Sequence, residues 1–251
     1  MQVSVVIPTL NEEANIRACI DAARRDNDAD QVEIIVADGG SHDHTLSLIP
    51  HGVKVVRAPL GRGIQMNHGA REAHGDILIF CHADTQLPQG WRESVIQTLG
   101  TPGVSGGAFQ IAYLPAKGIL HQVNRMRFRG SWITTHGDRA QFMSRESFDD
   151  IGGFPEIPLM EDVEMSRALH RRGRIAMVPK RIIASSRRYL ECGPLAQYGL
   201  SMWLVFRYVF LGASPEAIAR AYRSSREHSV ESPRLAKQGE LYERARRTQR
   251  T

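Results

Sequence analysis

The chain has 251 residues, enough to bury a sizeable core in one α/β domain, and its 42% hydrophobic and 24% charged content excludes a chain that is mainly disordered or fibrous. The net charge of +5 is local: from Arg220 onward nine Lys and Arg stand against four Asp and Glu, so the preceding part is close to neutral. Three cysteines, Cys19, Cys81 and Cys192, are far apart with no CxxC pair, which argues against a disulfide framework or a zinc knuckle and predicts buried thiols.

MQVSVVIP enters a strand-like run at once, without a basic segment followed by a long apolar one, so a cytoplasmic location is expected. Val3 to Ile7 reads as the first strand. Asn11 is placed to cap a helix whose first turn holds Glu12 and Glu13 and whose apolar face is Ile16, Ile20 and Ala23. Val32 to Ala37 and Val53 to Val56 are the next strands, and Asp43 between them is placed to cap a short helix. A helix over Ile64 to His74 is stopped by Gly75, and Ile77 to Cys81 is a fourth strand. This βαβα order predicts a parallel sheet, with ligands collecting outside the carboxyl ends of its strands.

Beyond Trp91 the pattern loosens. GGAFQIAYL reads as a strand, Ile119 to Phe128 as a helix, and QFMSRESFDDIGGF as a strand and short helix ended by Gly152 and Gly153. A clearer helix runs from Glu161 to Arg172, with Gly173 as its stop.

The motifs SVVIPTLNEE, VADGGSHDHT, GRGIQMNHGA, FCHADT and GGFPEIPLMEDVEMSRALHRRG occur in that order over Gln2 to Pro179. This ordered set resembles the family-2 glycosyltransferases of the GT-A fold, closest to the small bacterial branch with a single catalytic domain. The resemblance implies a Rossmann-like, mostly parallel α/β sheet flanked by helices; the catalytic domain is expected over residues 1–190, with 191–251 as a basic, helical C-terminal extension expected from chain length and the local charge. The resemblance also implies an enzyme that moves a sugar from a nucleotide diphosphate, UDP-linked in the first instance, with inversion and with a divalent cation, Mn2+ or Mg2+.

By similarity, Pro8, Thr9 and Glu12 line the nucleotide pocket beside a helix start, where backbone amides are exposed. Asp38 would accept hydrogen bonds from the base or ribose, with Gly39 and Gly40 letting the backbone approach a flat ring; an Asx turn is the bland alternative. Arg62 and Asn67 would face the nucleotide, although a loop arginine in solvent is a rival for Arg62. The family's DxD triplet is here His82, Ala83, Asp84: the metal-binding final aspartate is kept, and His82 is either a ligand acceptable to manganese or a ribose contact.

In the family's ED pair, Asp162 is the candidate base that deprotonates the acceptor, and Glu161 would orient it or the acceptor; both also suit a helix amino terminus. Trp132, His136, Gly137 and Asp138 lie where relatives shape the acceptor side, and Arg187 and Arg188 are placed to clamp a diphosphate. A core tryptophan and a solvated arginine pair are the alternatives.

Leu195 to Ala213 approaches the ~20 residues that cross a bilayer core, but contains Gln197 and Arg207, so an interfacial or core-packed helix fits better. With the basic tail it suggests peripheral attachment at the inner face of a membrane and a lipid-linked acceptor; a solvated helix face is the plain reading of the tail, and no nucleic-acid partner is expected. Donor sugar, acceptor and oligomeric state are not legible. Two other classes remain: a non-catalytic nucleotide-sugar-binding or membrane-docked scaffold, permitted by the lost first aspartate, and a sugar-phosphate nucleotidyltransferase, for which TLNEEANI lacks the glycine-rich GGxGTR loop.

Overall fold

A computed structural model describes residues 1–25, 31–135 and 138–230, the side chains of 225–230 excepted. The elements of the first half are β1 (Val3–Thr9), α1 (Ile16–Arg24), β2 (Val32–Asp38), β3 (Lys54–Arg57), α2 (Arg62–Arg71) and β4 (Ile77–Phe80). Next come β5 (Thr85–Gln86), α3 (Trp91–Leu99), β6 (Val104–Leu114), α4 (Leu120–Arg125), β7 (Gln141–Ser144) and α5 (Arg145–Ile151). The chain continues with α6 (Glu161–Arg172), β8 (Arg174–Ser185), α7 (Arg187–Cys192), α8 (Pro194–Leu211) and α9 (Pro215–Val230).

The strands form one sheet in the order β3-β2-β1-β4-β7-β6-β8-β5. β1 is buried along its whole length because it lies between β2 and β4 and both sheet faces are covered. Its side chains alternate accordingly: Val3, Val5 and Ile7 join Ile16, Ile20 and Trp91 in one core, while Val6 joins Met66, Met165 and Leu169 in the other. Helix α2 lies against β1 where Gly69 meets Val6, an approach so close that any Cβ at 69 would collide with the valine side chain.

As expected, β3, β2, β1 and β4 are parallel. The second half makes the sheet mixed while leaving it mostly parallel, as the resemblance implied: β7 runs antiparallel to both β4 and β6, and β5 is antiparallel to β8. The reason is local. The segment before β7 stands at the carboxyl end of β4, so β7 starts there, with Gln141 beside Phe80, and runs back. β6 in turn opposes β7, and β8 is parallel to β6, so β1, β4, β6 and β8 all deliver their carboxyl ends to one edge.

Several element limits differ from the sequence reading. Asn11 has φ 53° and is not a helix cap: its side-chain oxygen accepts from the His42 N–H, and its own N–H donates to Ser41, so it latches β1's end to the loop after β2. Helix α1 begins only at Ile16, after a turn in which the Glu12 carbonyl accepts from Asn15 and Ile16. Asp43 accepts from the N–H and hydroxyl of Thr45, a local turn ahead of the short 3-10 helix Leu46–Leu48. Helix α2 starts earlier than expected, at Arg62. Cys19 and Cys81 are buried free thiols, whereas Cys192 is half-buried. Among the described residues no helix is long and apolar enough to cross a membrane.

The C-terminal helices do not stand apart from the α/β body. Leu204 of α8 and Ile218 of α9 pack with Met160 and Val163 at the start of α6, and Tyr208 donates to the Glu164 carboxylate.

Candidate active site

The sheet's strand order reverses at β1 and β4, and a crevice opens beyond their carboxyl ends. It is a cavity of about 850 Å³, large enough for a nucleotide sugar. Strand ends supply much of its lining: Pro8 and Thr9 at the end of β1 with Glu12 after it, His82, Ala83 and Asp84 after β4, Tyr113 at the end of β6, and Arg187 and Arg188 after β8. Arg62 and Gln65 reach in from α2, and Asp162 from the first turn of α6. Its far wall is Tyr198, Ser201, Met202, Leu204 and Val205 of α8 with Tyr222 of α9.

Alternating charge organises the floor. His82 Nδ1 lies 2.7 Å from Asp138 Oδ1, and both side chains are largely buried. Burial pushes the imidazole toward its neutral form, but the hydrogen bond and charge of Asp138 outweigh this and raise its pKa. Burial likewise acts to raise the Asp138 carboxyl, yet His82, Arg188 and Arg62 hold it well below the usual carboxylate range. Asp84 is pushed up by burial and by Asp138, with Arg188 opposing at 3.6 Å. The Arg188 guanidinium is held firmly charged against burial by Asp138 and Asp84. Arg187 lies 3.3 Å from Glu12 at the outer edge.

The adjacent acids of α6 diverge. Asp162 lines the cavity, whereas Glu161 is 1% exposed and points inward, with its Oε1 2.8 Å from Arg62 Nε. That approach is off the line of a hydrogen bond, so among the described residues the buried Glu161 carboxylate is matched by charge without a directed donor. Burial raises its pKa, and Arg62 works against the rise. Sequence spacing explains the divergence: successive helix positions are about 100° apart, so one acid of a neighbouring pair faces the cleft while the other faces the core. Gly63 on α2 makes room for this corner, since a Cβ there would sit 2.6 Å from the Pro155 carbonyl oxygen.

Pro8, Thr9, Glu12, Arg62, His82, Ala83, Asp84, Asp138, Asp162, Arg187 and Arg188 are thus brought to one cleft. Others are not. Asp38 lines a separate hollow of about 310 Å³ with Gly40, Ser41 and Arg57, and is 1% exposed. Its carboxylate accepts from the Gly40 and Ser41 N–H groups and from the Ser41 hydroxyl at 2.6 Å, the Asx turn considered as the bland alternative. Gly39 packs against the side chain of Gln65, whose amide donates to the Thr9 and Ala37 carbonyls and ties β1 to β2.

Asn67 points away from the cleft, its amide bonded at both ends to the Phe154 backbone. Trp132 carries the Arg167 guanidinium on its ring at 4.9 Å and packs against the core. His136 and Gly137 lie outside the described residues. Sequence reasoning passed over Gln65, although it lies within the GRGIQMNHGA motif, and Tyr113, Arg139, Tyr189, Tyr198 and Tyr222, which line the cavity from segments outside the motifs. The only signal for Tyr198 was the polar positions within an otherwise apolar run.

Among the described residues no cluster of three or more His, Cys, Asp or Glu side chains is arranged to hold a metal. The donor set nevertheless suits a site completed by substrate. Mg2+ and Mn2+ are commonly held by one or two side chains plus phosphate oxygens, and a ligating histidine usually has its other ring nitrogen on a carboxylate, as His82 has on Asp138.

The protein family model for glycosyl transferase family 2 matches residues 4–154, and the chain belongs to that family. Its mixed sheet is that of the GT-A enzymes. A beta-monoglucosyldiacylglycerol synthase of Synechocystis is 25% identical over 194 residues, 67% of this chain and 40% of that protein. The chain spans about two fifths of the length of this and another curated relative. S. aureus TarS, solved with UDP-GlcNAc, superposes with a TM-score of 0.61 at 18% identity over 74% of this chain and 58% of that one. A mannosyltransferase of Pyrobaculum calidifontis, solved with GDP-Man and Mn2+, does so with a TM-score of 0.59 at 17% identity over 97% of this chain and 79% of that one.

Proposed function

We propose that this protein is an inverting glycosyltransferase that transfers a sugar from a UDP-sugar to an acceptor hydroxyl in a single displacement. The observation that carries the reading is that Asp162 faces the cleft also lined by Asp84, Arg187 and Arg188, while Glu161 is turned away onto Arg62. The acceptor oxygen attacks the anomeric carbon from the side opposite the diphosphate, and the bond from that carbon to the diphosphate oxygen breaks. Asp162 takes the proton the acceptor loses. Glu161 acts as a positioning residue, fixing Arg62 across the corner between α2 and α6. Arg188 and Arg187 supply positive charge toward the departing diphosphate.

Asp84, with His82 through its remaining ring nitrogen, would hold a divalent cation. When bound, that cation neutralises charge developing on the diphosphate. The histidine favours Mn2+ over Mg2+, since a nitrogen donor suits manganese better. UDP as the carrier is supported by the UDP-GlcNAc complex of TarS, although the mannosyltransferase neighbour was solved with GDP-Man. The lipid named in the Synechocystis relative supports a lipid-linked acceptor, and its encounter at the cytoplasmic face of a membrane is part of the same proposal.

Calorimetry with UDP-, GDP- and dTDP-sugars, with and without Mn2+, tests the donor side before any acceptor is known. The expected outcome is manganese-dependent binding of a UDP-sugar, with UDP release that Asp162→Asn slows by about 1,000-fold. Absence of binding by any nucleotide sugar would overturn the proposal. Binding without turnover over a broad acceptor panel would favour a sensor built on this scaffold.

A further inference from the structure

Helix α8 is built inside out for a helix at a water surface. Its most exposed positions are Leu195, Ala196, Gly199, Met202, Trp203, Phe206, Phe210 and Leu211, and none carries a polar side chain. Four polar side chains instead face the protein, and Arg207 is half-buried. Gln197 is buried, Tyr198 and Ser201 line the cavity, and Tyr208 bonds Glu164. A water-exposed helix shows the opposite arrangement. The outward residues recur at helical spacing, and their rings form a ladder: Trp203 to Phe206 at 5.7 Å, Phe206 to Phe210 at 5.2 Å. Trp203 and Phe210 are 52% and 61% exposed, so the ladder is displayed and not filed into a groove.

The surroundings say what covers it. Met202, exposed on this ridge, also lines the active-site cavity, so the ridge runs along the cavity's rim. On another part of the rim Ile133 is likewise exposed, close in sequence to the exposed cations Arg125, Arg127 and Arg129. The chain after α8 is basic, with nine Lys and Arg against four Asp and Glu from Arg220 onward. Residues 231–251 contain too few large apolar side chains, Leu235, Leu241 and Tyr242, to blanket the ridge. An apolar ladder ending in tryptophan and phenylalanine and accompanied by cations matches an interfacial helix on an anionic bilayer.

We infer that the outer face of α8 docks on an anionic membrane surface, bringing the rim of the cavity against the lipid headgroups. The docking surface stands on the exposure pattern. That the acceptor is then drawn from the bilayer rests on the transferase reading above.

The test is flotation of the full chain with phosphatidylcholine vesicles, with and without phosphatidylglycerol, at low and high salt. Wild type should float with the anionic vesicles and less so at high salt. Phe206→Glu with Phe210→Glu should weaken partitioning by about 10-fold or more. Neither side chain lines the cavity, so UDP-sugar binding and the thermal midpoint should stay as in wild type. If the double variant is poorly folded, Trp203→Ser alone provides the same reading with a smaller loss.

No flotation of wild type overturns the inference, as does equal flotation of the variants, which would assign binding to the tail. A stable dimer in sedimentation that the same substitutions dissolve would also overturn it, by giving the ridge to a second copy. Flotation without nucleotide binding would sink the transferase reading alone, and nucleotide binding without flotation the docking surface alone.

Discussion

The two walls of the cleft are made differently. On one side β1, β4 and α2 present short polar groups from positions fixed by a buried parallel sheet, and helix α2 lies so close to β1 that a Cβ at residue 69 would collide with Val6. On the other side α8 and α9 contribute tyrosines, a serine and aliphatic groups from helices that rest on the start of α6 through a small core of their own. On the transferase reading proposed above, the two walls would divide the labour: the sheet wall would read the constant part of the donor, and the helical wall would vary with the acceptor.

Asp162 belongs to neither wall but to the helix start between them, and its replacement should have the largest effect. Asp162→Asn is expected to lower kcat by about 1,000-fold while donor affinity changes by less than about 3-fold, as read by UDP release and calorimetry. Loss of donor binding in that variant would place Asp162 on the sheet wall instead. Asp84→Ala should weaken manganese-dependent donor binding by about 100-fold with every acceptor, measured by calorimetry with and without the metal.

Rigidity itself can be compared. Gly69→Ala should lower stability by about 1–3 kcal/mol, because the new Cβ has nowhere to go beside Val6. Gly199→Ala, on the outer face of α8 with nothing near its Cβ position, should raise stability by up to about 1 kcal/mol. Thermal melts of the pair decide whether the two walls differ as described. Tyr198→Ala should raise the acceptor KM by about 5-fold and leave the donor KM unchanged, an effect confined to the helical wall.

The smallest expected effect lies on the outer part of the sheet. Burial acts to raise the Glu33 carboxyl, but the His74 ring and N–H and the Ser4 hydroxyl hold it below its ordinary value of 4.5. A depressed folded-state value stabilises the fold above the unfolded value and is lost as pH falls through the folded one. Glu33→Gln should therefore cost at most about 1 kcal/mol at neutral pH and nothing in strong acid, in denaturant melts at the two pH values.

The first half of the fold was legible because its strands are unbroken apolar runs and its helices have regular stops. Helix α3 was not, since Trp91 and Val95 are its buried residues and the rest of its sequence gives no clear face. Arg62, His82, Asp84 and Asp162 could be singled out by motif and do meet in one cavity. Asn67 sits in the same kind of motif, yet its amide serves the Phe154 backbone, a use no local pattern reveals. Asp38 carries both possibilities in its sequence, and the two N–H groups that follow it occupy its carboxylate.

By itself the sequence determined the parallel core, the order of the acidic positions and the local character of the positive charge, because these depend on residue type and near-neighbour spacing. Tertiary structure alone decided that the two acids of the ED pair diverge and that Asp138 partners His82. It also decided that the C-terminal helices close the cleft while exposing an apolar ridge. Each of these depends on which faces meet across long sequence separations, and helix rotation and strand direction, set by packing, fix those meetings.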